Sequence, residues 1–126
     1  MIVSNIFFIL PVIYAAIYHE WLYLFFATGV FIFSPLYHWY QIINPRSLRF
    51  YLFKTLDWMF AVGAFIYMYY YTNTHTEGTG KLILFSLLSL AIIFFLFGWR
   101  KHYAKLHPWF HIIAPTVSSL ILILAN

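Results

Sequence analysis

WLYLFFATGVFIFSPLYHWYQ, residues Trp21 to Gln41, decides the fold class. The run contains no Asp, Glu, Lys or Arg. It has the length, about 20 residues, that an α-helix needs to cross the hydrocarbon core of a bilayer. It is continuously apolar, without the alternation that a barrel strand shows. Four similar runs flank it: Ile2 to Tyr18 before it, then Leu48 to Tyr71, Lys81 to Trp99 and His107 to Ala125. The intervening breaks have local causes. His19-Glu20 is a short polar turn, and Asn44-Pro45 is a turn pair whose proline lacks an N–H. Thr72 to Gly80 is polar with two glycines, and Arg100 to Lys105 is basic. The expected architecture is an all-α polytopic transmembrane bundle of five spans, residues 1–126 forming one domain.

Composition leads to the same class. Of the 126 residues, 64% are hydrophobic and 8% charged, and the mean hydropathy is +0.84. Soluble domains carry about a quarter charged residues, so this chain lacks the polar shell that a water-soluble core requires. Free cytosolic and DNA-binding proteins are excluded on that ground. The absence of Cys excludes disulfides, thiol catalysis and cysteine-based metal sites. The first run is read as a span, not a cleaved signal, because no Lys or Arg precedes it and Tyr18-His19-Glu20 offers no small-x-small cleavage site.

Basic residues set the expected orientation. Arg46, Arg49 and Lys54 lie at the second break, and Arg100, Lys101 and Lys105 at the fourth. Lys81 alone lies at the opposite end, with Glu20 and Glu77 read there as solvated loop acids. Six of the seven Lys and Arg residues therefore mark one face, which is expected to be cytoplasmic, with the N-terminus inside. This use of the positive charge leaves no call for a nucleic-acid partner.

Ionisable residues inside a membrane are functional candidates by default. Asp57 lies in the third run, one turn beyond Lys54. The bland reading is an i,i+3 pair with that lysine. The histidines shift the balance. His107 and His111 stand four residues apart, which places both imidazoles on one helix face. His38 lies near the end of the second run, with Ser34 one turn before it and Pro35, a kink site, between them. Three runs that cross in different directions thus place three His, one Asp and one Ser in one layer near the basic face. Three imidazoles with an open position form the arrangement of catalytic zinc. His38, His107 and His111 are the expected Zn2+ ligands. Asp57 is expected to handle the proton of a water, and Ser34 to donate to the carbonyl oxygen under attack.

Ser34-x-x-x-His38, Asp57 and His107-x-x-x-His111 together resemble the signature of the CREST superfamily of membrane hydrolases. That group includes alkaline ceramidases, adiponectin-receptor and haemolysin III-like proteins, and GPI-anchor lipid-remodelling hydrolases. The resemblance implies zinc held by the three histidines and hydrolysis of an amide or ester bond in a lipid, with ceramide-like substrates leading. The family core has seven helices and this chain five runs. The two missing spans lie between the Asp and HxxxH helices, so the last helix keeps its direction. The thinner wall implies a second copy of the chain as partner, most simply a homodimer. The rivals are a haem-binding electron carrier, a receptor or scaffold that keeps zinc for structure alone, and a proton or ion pathway. His102 is read as an interfacial residue, Tyr37 and Tyr103 as belt aromatics, and His19 and His75 as lying too far away to join the site. Ser86, Ser89, Gly63 and Ala64 are read as small residues that allow close helix contacts.

Overall fold

The structure, a computed structural model, describes residues 3–99 and 103–126. Arg100, Lys101 and His102 lie outside the described residues, as does the start of the first run. The chain opens with a 3-10 segment, Val3–Phe8, that runs into α1, Ile9–Ile17. Four longer helices follow: α2, Trp21–Ile43; α3, Leu48–His75; α4, Gly78–Trp99; and α5, Tyr103–Ala125. No strand occurs among the described residues. Residues 21–43, 78–96 and 105–125 are long and apolar enough to span a membrane. Val3–Ile17 is apolar but shorter, and α3 has the length but carries Arg49, Lys54, Asp57 and a polar tail.

The turns behave as their residues dictate. His19 adopts a left-handed conformation at φ 58° and ends α1. Ser47 caps α3 by accepting from the Phe50 N–H at 3.1 Å. Two helices start earlier than their apolar runs. In α5, Tyr103–Ala125, the backbone is already helical before His107, so the helix begins one turn ahead of the apolar run. Lys105 and Leu106 are good helix formers and lie inside α5. Pro108 and Pro115 both fall inside α5.

α2 and α3 form one closely packed antiparallel pair, α4 and α5 the other, and the 3-10 segment with α1 bridges α2 to α5. The α2–α3 pair is locked by aromatic rings laid on glycines. The Phe60 ring covers Gly29, and a Cβ built there would lie 2.1 Å from it. The Phe26 ring covers Gly63 in the same way, at 2.4 Å. Gly63, expected to admit a close contact, does so.

The bundle has two unlike halves. At the end bearing Glu20, a solid core joins Ala15, Tyr23, Met68, Tyr71, Leu88 and Ile121. There Glu20 accepts hydrogen bonds from the hydroxyls of Tyr67 and Tyr71, the latter at 3.0 Å. Asn126 in turn donates to the Tyr71 hydroxyl at 2.8 Å. Glu20 is therefore a half-buried clamp, not the solvated loop acid that its position suggests. Exposed Glu77 fits that expectation. From the histidines at the basic end, a cavity of about 460 Å³ runs between the helices as far as Tyr23 and Ser118.

Candidate metal centre

His38, His107 and His111 converge at the basic end, one from α2 and two from α5. All three are buried, with exposures of 1%, 6% and 2%. Their available nitrogens lie within 4.8 Å of one another. The His38 and His111 Nε2 atoms are 3.4 Å apart, and those of His111 and His107 2.9 Å. The i,i+4 spacing in α5 produces the second contact directly. The first joins α2 to α5 through the two side chains alone, across the gap that the 3-10 segment and α1 bridge.

Proton counting shows what this arrangement favours. The His38 Nδ1–H donates to Gln41 Oε1 at 3.1 Å, so the His38 Nε2 presents a lone pair. A single proton on the His111 Nε2 can point at one neighbouring nitrogen but not at both. The His111 Nδ1 is buried with no hydrogen-bond partner, so that ring gains nothing by turning over. A cation placed among the three Nε2 atoms would satisfy all of them together. Nitrogens bound tetrahedrally at the usual zinc distance of about 2.0–2.1 Å stand roughly 3.3–3.4 Å apart. The His38–His111 separation already matches this edge, and the His107–His111 pair needs a small opening. The three histidines can therefore hold a metal ion.

Aromatic rings hold the imidazoles in place. Phe8 packs edge-on against His111 at 5.6 Å, and Tyr37 lies 4.7 Å from His38 between ring centres. Phe8 ends the 3-10 segment. Asn5, one 3-10 turn earlier and on the same face, is 2% exposed, and neither of its amide atoms has a partner. The sequence reading missed Gln41, Phe8 and Asn5. The signal for Gln41 was present, since it stands one turn from His38 on the same face.

Ser34 and Asp57 meet across α2 and α3, the Ser34 hydroxyl serving as the hydrogen-bond partner of the Asp57 carboxyl. Both line the cavity, as do His107 and His111. Among the described residues no ion pair joins Asp57 to Lys54, whose ammonium lies 6.0 Å from the centre of the Phe50 ring. The bland reading of Asp57 is thereby replaced by a membrane-depth acid–alcohol pair. His75 stacks on Tyr71 at 4.1 Å, in the other half of the bundle, and His19 neighbours Trp21, so both stay apart from the cluster as expected. Tyr37 is buried beside His38 and is not a belt residue. The side chain of Tyr103 lies outside the described residues.

The rest of the cavity is apolar. Val30 of α2, Trp58 and Phe65 of α3, Phe95 of α4 and Phe110 of α5 form much of its wall. Its weak side is the seam between α3 and α4. The seam is closed by Trp58 against Phe95 at 5.5 Å and by Tyr69 against Phe85 at 5.0 Å. Between these bridges, Val62 and Ile66 line the cavity yet remain 48% and 66% exposed. Comparisons with known protein families, with characterised proteins and with solved structures return no match.

Proposed function

We propose that the protein is a zinc-dependent hydrolase of membrane lipids, cleaving an amide or ester bond, with ceramide-like lipids the leading substrate class. The observation that carries this reading is the juxtaposition of three convergent imidazoles with an acid–alcohol pair on the wall of one apolar cavity. His38, His107 and His111 would hold the ion, which when bound supplies Lewis acidity and an activated water at neutral pH. Three nitrogens meeting at a point suit a small ion better than a haem iron, whose axial ligands must approach a broad macrocycle from opposite faces.

The chain's own groups divide the proton work. Asp57 accepts a proton from the attacking water and later delivers it to the leaving amine or alkoxide. Ser34 has one hydroxyl proton, which it gives to the ionised Asp57 carboxylate. Once Asp57 carries the water's proton, it can donate to the Ser34 oxygen. The Ser34 hydroxyl is then free to stabilise negative charge developing on the substrate carbonyl oxygen. Between its two aromatic bridges the α3–α4 seam admits lipid sideways, and a second copy of the chain packed on that face would complete the wall. The basic end, carrying Arg46, Arg49 and Lys105, is assigned to the cytoplasm by the charge rule.

The test combines metal analysis with a lipid assay. Purified wild-type protein is expected to contain stoichiometric zinc and to release fatty acid from a lipid extract. Asp57→Asn is expected to retain the metal and lose about 10²–10⁴-fold in rate. His107→Ala and His111→Ala should lose the metal itself. Wild-type protein without stoichiometric zinc overturns the proposal. Zinc with no turnover of any lipid class favours the scaffold reading.

A further inference from the structure

The cavity has a defined far end. On α2 it is lined from Ser34 to Tyr23, and on α5 from His107 to Ser118. Each stretch rises about 16 Å at 1.5 Å per residue. Half of a bilayer's hydrocarbon core is about 15 Å, so the cavity is about as long as one leaflet is deep. Midway, Ala27, Ala61 and Ala114 keep the bore open. At the far end Tyr23 is 3% exposed, and its hydroxyl pairs with Ser118. Tyr67 stacks on the Tyr23 ring at 5.6 Å and is itself tied to Glu20. Behind them lies the solid core, with Met68, Leu88, Ile121 and Leu122 each no more than 1% exposed. Polar chemistry thus sits at one end of the bore, and a braced aromatic wall closes the other.

We propose that the Tyr23–Ser118 pair is a chain-length stop: the bore takes one unbranched acyl chain, carbonyl at Ser34 and Asp57 and tail against the Tyr23 ring, and the pair sets the longest chain that fits. The hydrolase reading supplies the direction in which the chain lies. The fit itself rests on the shape of the cavity, so binding and turnover test the two separately.

The experiment uses the full chain in nanodiscs and measures displacement of a fluorescent fatty acid by straight-chain fatty acids from octanoate to behenate. Affinity, referred to the free aqueous acid, is expected to rise about fourfold per methylene, the gain from taking each CH₂ out of water. The rise should break off at about fourteen carbons, the extended length that matches half a bilayer core. Tyr23→Ala is expected to move the break to longer chains, and Ala114→Leu to shorter ones. A break that stays in place in folded Tyr23→Ala overturns the stop. Should that variant fail to fold, an unmoved break in Ala114→Leu overturns it equally, as does the absence of saturable binding to wild-type protein. Length-limited binding without lipid turnover sustains the stop and sinks the hydrolase. Turnover without a length limit does the reverse.

Discussion

Gln41 gives His38 an acceptor for its Nδ1 proton and so fixes which nitrogen faces the other two histidines. Such outer partners typically contribute 10–100-fold to metal affinity. Gln41→Leu is therefore expected to weaken zinc binding by about that factor while leaving the helix content unchanged, as read by chelator competition and circular dichroism. Glu20 makes a different contribution. Its carboxylate accepts two tyrosine hydroxyls, and hydrogen bonds to charged groups contribute about 1.5–3 kcal/mol each. Glu20→Leu should lower stability by about 2–3 kcal/mol, with a smaller loss in Glu20→Gln, which keeps an acceptor oxygen. Thermal unfolding in detergent reads both. His38, His107, His111 and Asp57 were legible because ionisable side chains are costly inside a membrane, and Ser34 because it stands one turn from His38. Glu20 was not, because its partners lie 47 and 51 positions away and a turn acid ordinarily meets water. Gln41 closes an apolar run and reads there as its polar terminus.

Between elements, the α2–α3 crossing matters most. Gly29 and Gly63 each receive a phenylalanine ring from the opposite helix, and the same antiparallel register carries Ser34 to Asp57. Gly29→Ala adds helix propensity worth about 1 kcal/mol but drives a methyl into the Phe60 ring, an overpacking cost of about 1–3 kcal/mol. Net destabilisation is expected, with recovery in the double variant Gly29→Ala/Phe60→Leu. A stable single variant with unchanged turnover would show that the crossing tolerates a wider gap. Hydrophobic run lengths revealed the helices, and turn chemistry located the breaks near Asn44 and His19. The helical turn before His107 was hidden, since a basic residue such as Lys105 at an interface reads as a loop whether or not the backbone is helical. Ring-on-glycine packing was hidden as well, because nothing within either helix says which ring meets which glycine.

Viewed whole, the molecule is a plug at the Glu20 end and a chamber that runs from the plug towards the basic end. Its orientation is open to a clean test, because the chain has no Cys. Single cysteines at Ser47 and Thr79 should react with membrane-impermeant maleimide from opposite sides, Ser47→Cys from the cytoplasm, in right-side-out and inverted vesicles. Labelling of both from the same side would remove the assigned topology. The membrane class was readable from the low charge content, and the helical bundle from the unbroken apolar runs. The asymmetry between the halves was not, since it arises from how alanines on three helices face one another.

Plug and chamber meet at a single aromatic ring, that of Tyr23, and this junction carries a lesson about divergence. What the chamber admits can change through partly exposed lining residues such as Ala61 and Val62, while the plug keeps the chain upright. Descendants of such a chain could therefore acquire new appetites without having to rebuild their anchor.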